Sequence, residues 1–343
     1  MSKEVVILTD YKGFFGSKQK GIIYRGGMDI PLLIRLFNDK EYKAGSVEIA
    51  HLNIKEILQN HPVILYTSSE DKNGFYKSYI EDVIYHLEAC GILVVPSFTH
   101  LKAHNNKVAM ELLRDRTDFK AIQTIQSKVF GTIEELKKNA DLFTFPVVIK
   151  TASGAMSKGV ARADNSDELI RKAKMISKSR DFWYNAKELL RLLKYKNKYV
   201  RESFHRNKFV VQNLIPDLNN DWKVLVYGSR CYVLYRGNRH NDFRASGSGK
   251  FEFRKDNPDG MLDYVMQIKN HFNVPHISLD IGFDGQKFHL IEFQFLYFGT
   301  TTIEKAPFFF LNENNKWSVI EKKSNLEDVY VDSIISYLVA NEY

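Results

Sequence analysis

The sequence predicts an α/β domain followed by a longer α+β region. Strands alternate with helices over the first 105 residues, the pattern of a mainly parallel sheet covered on both faces. Beyond residue 105 the pattern changes, and from residue 209 several β segments follow one another closely. The 343 residues allow about two domains at ~150 residues each and are enough to bury sizeable cores without staples.

Val5 to Leu8 is an unbroken apolar run and reads as a buried strand, after which Thr9 and Asp10 lead into a glycine-bearing loop. A helix is expected at 31–37, strands at 47–52 and 62–66, a helix at 79–90 and a fourth strand at 92–96. In the second region a helix over 106–114 precedes a strand at 127–130. Thr132 followed by Glu135 is a capping box for the next helix. Residues 145–150 form a strand that opens into the small-residue loop 151–159, and 165–168 start another helix. Strands are expected at 209–212, 223–227 and 230–235, with helices at 260–271 and 326–340.

Hydrophobic residues at 44% and charged residues at 26% match an ordinary soluble globular chain. The net charge of +8 points to an anionic partner without choosing among nucleic acid, nucleotide, phosphorylated substrate or membrane surface. Two cysteines, Cys90 and Cys231, exclude a disulfide framework and a cysteine-based zinc site. The first apolar run is too short for a signal-peptide core, and no stretch nears the ~18 apolar residues of a membrane span. A soluble, cytoplasmic protein is expected. Gly13, Gly16, Gly26 and Gly27 do not make G-x-G-x-x-G, and no acidic residue ends the second strand suitably, which excludes a Rossmann-type NAD site.

Loop 151–159 combines small residues, whose backbone N–H groups can approach an anion, with Lys150 and Lys158 at its two sides. It lacks the Walker A spacing and also fits an ordinary hairpin turn. The stronger feature is a pair of strands, 276–283 and 288–295, flanking Asp284-Gly285. Ile277, Leu279 and Ile281 share one face of the first strand, and Ile291, Phe293 and Phe295 one face of the second. A two-residue loop would set Asp280 across from His289 and away from Glu292. A three-residue loop, 283–285, with Gly285 left-handed in a bulge, brings Asp280, Glu292 and Gln294 to one face and keeps the apolar sets together, so it is the expected one. Two carboxylates and an amide oxygen suit Mg²⁺; acids on a solvated outer face would read the same.

The order of these motifs resembles the ATP-grasp superfamily over nearly the whole chain. That resemblance implies an N-terminal pre-ATP-grasp α/β domain (1–105) and a two-lobed ATP-grasp domain. Its N-terminal lobe (106–208) would carry the phosphate loop and a basic insertion, and its C-terminal lobe (209–343) the metal site. Lys107 is similar to the family's first nucleotide lysine, and Lys150 to the second, which reaches the α-phosphate region and adenine. Ser153, Gly154, Ser157, Lys158 and Gly159 lie in what resembles the loop that closes over the β- and γ-phosphates. Residues 211–215 resemble the hinge strand, where Gln212 and the Leu214 backbone would meet adenine. Asp221-Trp222-Lys223 is similar to the family's Asp-x-Arg, with lysine replacing arginine. Arg244 resembles the arginine that faces the transferred phosphate. Asp280, Glu292 and Gln294 match the Mg²⁺ ligands, with Gln294 one methylene longer than the usual asparagine.

The activity implied is an ATP- and Mg²⁺-dependent ligase that joins a carboxylate to an amine through an acyl phosphate and releases ADP and phosphate. Arg244 and Lys158 would be its catalytic residues. The partners implied are ATP and a small-molecule or peptide carboxylate and amine, with an anionic or phosphorylated substrate and a homodimer left open. No nucleic acid is expected, because no recognition motif accompanies the basic residues. Two alternatives remain: a kinase of the same fold acting on a sugar or polyol hydroxyl, and a nucleotide-binding interaction protein without turnover.

Most of the charge excess is local. Residues 180–208 hold nine basic and three acidic side chains, a net +6. Ala186, Leu189, Leu190 and Leu193 fall at helical spacing there. The expected arrangement is a lid helix packed by its leucines with a solvated basic face. The sharper reading has that face receive an anionic substrate.

Overall fold

The computed structural model describes residues 3–20, 23–154, 159–179, 181–216, 218–238 and 249–343. By contacts the chain forms two compact units, Met1–His104 with Leu218–Tyr343, and Asn105–Asp217.

The first unit contains a four-stranded parallel sheet in the order Lys43–Glu48, Glu4–Thr9, Val63–Tyr66, Val94–Val95. Every residue of Val63–Tyr66 is buried, as a strand covered on both faces requires. The second expected strand, 47–52, is displaced. Pairing with Glu4–Thr9 uses Lys43 to Glu48, and Ile49–His51 is a 3₁₀ turn that drops Ile49 into the core. An edge strand with no buried side chain carries little apolar signal, so the alternation in the sequence marked the turn instead.

The same unit contains a larger antiparallel sheet, in the order Phe288–Gln294, His276–Phe283, Asn220–Tyr227, Arg230–Gly237, Phe309–Glu313, Lys316–Ile320. The short strand Phe251–Glu252 also pairs with Arg230–Gly237. One hydrophobic core joins both sheets and the last helix, Leu326–Ala340, through Val5, Leu65, Leu225, Tyr232, Val331 and Ile334. That helix also carries the buried Glu327, whose carboxylate takes Lys18 Nζ at 2.7 Å and the Asp29 amide at 2.8 Å. A buried carboxylate is tolerated only with such partners.

His276 is enclosed in this core. Its ring stacks on Tyr227 at 4.9 Å, and Nδ1 lies 3.4 Å from Ser333 Oγ. Burial pulls its pKa down from 6.5 to about 3, so the folded protein keeps it neutral. Above about pH 6.5 both states carry a neutral ring. As pH falls from there towards 3 only the unfolded chain takes up the proton, and this stability is lost. The penalty reaches on the order of 4–5 kcal/mol. His276→Phe is therefore expected to lose less thermal stability than the wild type between pH 7 and 4, measured as Tm against pH.

The second unit is a four-stranded antiparallel sheet, Ser127–Phe130, Phe209–Asn213, Val147–Thr151, Val160–Ala163. Phe130, Val147, Ile149, Phe209 and Val211 point to one face and pack with Leu136 and Leu169. Leu136 belongs to helix Ile133–Lys137, which starts with the expected Thr132–Glu135 capping box. Leu169 belongs to Ser166–Ser177, capped by Asn165. By the two-residue strand period, Val148, Lys150, Val210 and Gln212 share the opposite face. Helix Lys107–Arg116 packs on strands Ser127–Phe130 and Phe209–Asn213.

The leucine packing expected in the basic insertion does not occur. Helix Phe182–Tyr195 turns Glu188 inward, where its carboxylate accepts from the Tyr199 hydroxyl at 2.6 Å, the Glu202 amide at 2.9 Å and Arg191 at 2.6 Å. The hydroxyl and the amide hold Glu188 below the ordinary glutamate pKa. Because this polar latch occupies the inner side, Leu189, Leu190 and Leu193 are left exposed. Among the described residues no helix is long and apolar enough to cross a membrane.

Candidate active site

In the second unit, Lys107 is tied to the phosphate-loop segment. Its backbone amide donates to the Ala152 carbonyl at 2.7 Å and its Nζ to the Gly154 carbonyl at 2.9 Å. The Gly154 amide donates to Asn105 Oδ1 at 2.9 Å. The loop leaves Val147–Thr151 and returns into Val160–Ala163, closed by a Thr151 amide to Gly159 carbonyl bond of 3.0 Å. Gly159 has φ +76°, and a Cβ there would lie 2.5 Å from Thr151 Oγ1, so only glycine fits. Ser153 and Gly154 are exposed at the start of the loop. Ser157 and Lys158 lie outside the described residues, as does Arg244.

Lys150 and Gln212 are both buried on the sheet face away from the Leu136–Leu169 core. Gln212 Nε2 has no hydrogen-bond partner among the described residues. A buried unsatisfied donor costs about 1–3 kcal/mol, so its persistence asks for a ligand acceptor. The Leu214 amide makes a long bond of 3.4 Å to the Pro146 carbonyl.

In the first unit, cross-strand pairing sets a polar row on one face of the antiparallel sheet. Asp221 pairs with Arg236, Lys223 with Asp280, Asp280 with Glu292, and Ser278 with Gln294. Asp280, Glu292 and Gln294 thus share a face, by a different route from the three-residue loop expected. Phe283 pairs with Phe288, and the connection is the four residues 284–287. Asp284 Oδ1 accepts from the amides of Gln286 and Lys287 at 2.8 and 2.7 Å, which stabilises the longer turn. The register is corrected further along, where Ile281 pairs with Leu290 and Asp280 with Glu292, leaving Ile291 as the extra residue of a bulge. The bulge moves the buried apolar position from Ile291 to Leu290. It also brings Ile291 against Gly282, where a Cβ would lie 3.3 Å from Ile291 and 2.8 Å from Leu218.

Arg236 organises the row. Its Nε and Nη2 grip Asp221 at 2.5 and 2.9 Å, and Nη2 also reaches Asp280 at 2.8 Å. Lys223 Nζ donates to Ser278 at 2.9 Å and lies 3.4 Å from Asp280. Burial penalises charge on Asp280, yet Arg236 and Lys223 outweigh it and hold its pKa near 2. At Asp221 burial together with the Asp280 charge outweighs Arg236 and Lys223 and pushes it up to about 6. Burial also opposes charge on Arg236, but the two carboxylates keep it protonated.

Among the described residues no group of three or more His, Cys, Asp or Glu side chains is gathered as a metal nest. The candidate ligand set is two carboxylates and an amide, oxygen donors that fit a hard cation sharing phosphate oxygens and waters. Arg236 is the residue that motif reading missed. Its signal was the two-residue Gly228-Ser229 turn, which pairs Tyr227 with Arg230 and so sets Arg236 opposite Asp221.

Also in this unit, at the C-terminal ends of Glu4–Thr9 and Val63–Tyr66, lies a 30 Å³ cavity lined by Ser17, Thr67, Tyr227, His276, Thr300 and Tyr330. Ligands of open parallel sheets bind beyond these strand ends.

No family model matches the sequence, and no curated protein does. Solved structures do match. A RimK-domain ATP-grasp protein from Sphaerobacter thermophilus is 12% identical with TM-score 0.51, covering 97% of this chain and 99% of that one. The D-cycloserine synthetase DcsG is 10% identical with TM-score 0.53, over 98% and 99% of the two chains. The macrocyclase MdnC from Microcystis aeruginosa, solved with its precursor peptide MdnA, is 10% identical with TM-score 0.51, over 97% and 99%. The chain therefore has the ATP-grasp fold over nearly its whole length.

Proposed function

We propose that this protein is an ATP- and Mg²⁺-dependent ligase that joins a carboxylate to an amine through an acyl phosphate, releasing ADP and phosphate. The observation that carries the reading is the pairing of Asp280 with Glu292, with Gln294 two residues along on the same face, on an ATP-grasp fold. The fold's neighbours include a synthetase and a macrocyclase. Asp280, Glu292 and Gln294 would hold Mg²⁺, which when bound would neutralise phosphate oxygens.

Lys107 and Lys150 would bind the nucleotide phosphates, and the orphaned Gln212 amide would donate to adenine. Arg236 and Lys223 keep Asp280 ionised and fixed in direction before any ligand arrives. Lys158 and Arg244 would stabilise charge on the transferring phosphoryl group, and loop 151–159 would exclude water from the acyl phosphate. A cytoplasmic location, where ATP is plentiful, would suit such an enzyme.

Purified protein with ATP and Mg²⁺ is expected to form ADP and phosphate only when an acid and an amine are both supplied. AMP and pyrophosphate, or ADP without an amine, would overturn the ligase reading. Gln212→Leu gives a second check with opposite signs. Removing the unsatisfied amide should leave Tm unchanged or raised, while weakening an ATP analogue about 5- to 10-fold in a fluorescence titration.

A further inference from the structure

Helix Phe182–Tyr195 presents its apolar residues to solvent. Phe182, Trp183, Leu190 and Leu193 are 65–77% exposed, and Leu189 is 47% exposed. At about 100° per residue these five fall in one arc of about 120°. Lys187 and Lys194 border one edge of that arc, and Lys196 and Lys198 follow in the next turn, all exposed. Tyr195 stands at the C-terminal end, with Lys194 Nζ 5.0 Å from its ring. The opposite side of the helix is held by Glu188 and its latch to Tyr199 and Glu202. Among the described residues the helix's main packing against another element is with the turn Lys196–Lys198, and none of them forms more than slight contacts beside the apolar arc.

We propose that this face is a docking surface for an anionic lipid bilayer, independent of the reaction assigned above. Three features select that occupant. The arc is convex, and a fluid interface closes around protruding side chains, whereas a peptide needs a second wall. Phe182 and Trp183 put two aromatic rings at the N-terminal end of the arc, where amphipathic rings favour the headgroup level. The bordering lysines complement anionic headgroups and can extend their charges to them from beside the buried arc. A helix with Trp, Phe and Leu on one side and lysines along its edge lies flat at such an interface.

The test is co-sedimentation of the full chain with phosphatidylcholine vesicles, with and without about one-third phosphatidylglycerol. Binding to the anionic vesicles is expected to be at least about 10-fold tighter, to weaken in high salt and to shift the Trp183 emission to the blue. Leu190→Ser/Leu193→Ser and, separately, Lys194→Glu/Lys196→Glu/Lys198→Glu should each cost at least about 10-fold in binding. All five positions are exposed, so circular dichroism and Tm should stay at wild-type values, which separates lost docking from lost fold. Equal partition to both vesicle types, or wild-type binding by either variant, would overturn the proposal. So would a concentration-dependent dimer that Leu190→Ser/Leu193→Ser dissolves, which assigns the face to a second copy, or equally tight binding of polyglutamate, which assigns it to an acidic polypeptide.

Discussion

Asp280→Asn is expected to lower ADP formation by about 10³-fold while the protein still folds. The substitution keeps the shape of the side chain and removes its charge. Arg236 retains Asp221, with two contacts at 2.5 and 2.9 Å, and Lys223 retains Ser278 at 2.9 Å, so the row keeps partners for both cations. What is lost is one of the two carboxylates that face each other across the Asp280–Glu292 pair. Glu292→Gln should fall in the same range, and the double variant should cost far less than the product of the two singles, because under the proposed function both would hold one cation. Initial rates of ADP release across a Mg²⁺ titration would measure this. Wild-type turnover by Asp280→Asn would remove the metal assignment.

Arg236→Leu is expected to destabilise the fold by about 3–5 kcal/mol. It strands the buried Asp221 and the half-buried Asp280 carboxylates, with Lys223 left as the cation near them among the described residues. The second variant, Arg236→Leu/Asp221→Asn, removes one of those charges and should recover a substantial part of the loss. Urea unfolding midpoints of the two variants would decide it. Equal stability of the wild type and Arg236→Leu would mean that the row is not held by its ion pairs.

Much of the site was legible because strand chemistry repeats every two residues. Asp280 on one strand and Glu292 with Gln294 on the next could be assigned to faces from their apolar neighbours alone. How they come to meet was not legible. The four-residue turn depends on Asp284 accepting two amides, and the bulge at Ile291 depends on the empty Cβ position of Gly282 beside Leu218. Neither contact leaves a periodic trace. Arg236 was within reach through the Gly228-Ser229 turn, but a buried arginine in an apolar strand looks like any surface residue until the strands are paired.

The basic helix marks the same limit from the other side. A leucine stripe at i, i+3 and i+4 says that one face is apolar; it does not say which face points inward. That was decided by Glu188, a single charged residue whose partners Tyr199 and Glu202 lie 11 and 14 residues further along the chain. By itself, then, the sequence determined the order of elements, the faces of the central strands and the run of charged and small residues that suits nucleotide chemistry. These follow from local periodicity and covalent neighbours. The tertiary structure alone decided the pairing of Asp280 with Glu292, the shared grip of Arg236 and the outward turn of the leucines. Each of those depends on partners brought together only when distant segments pack.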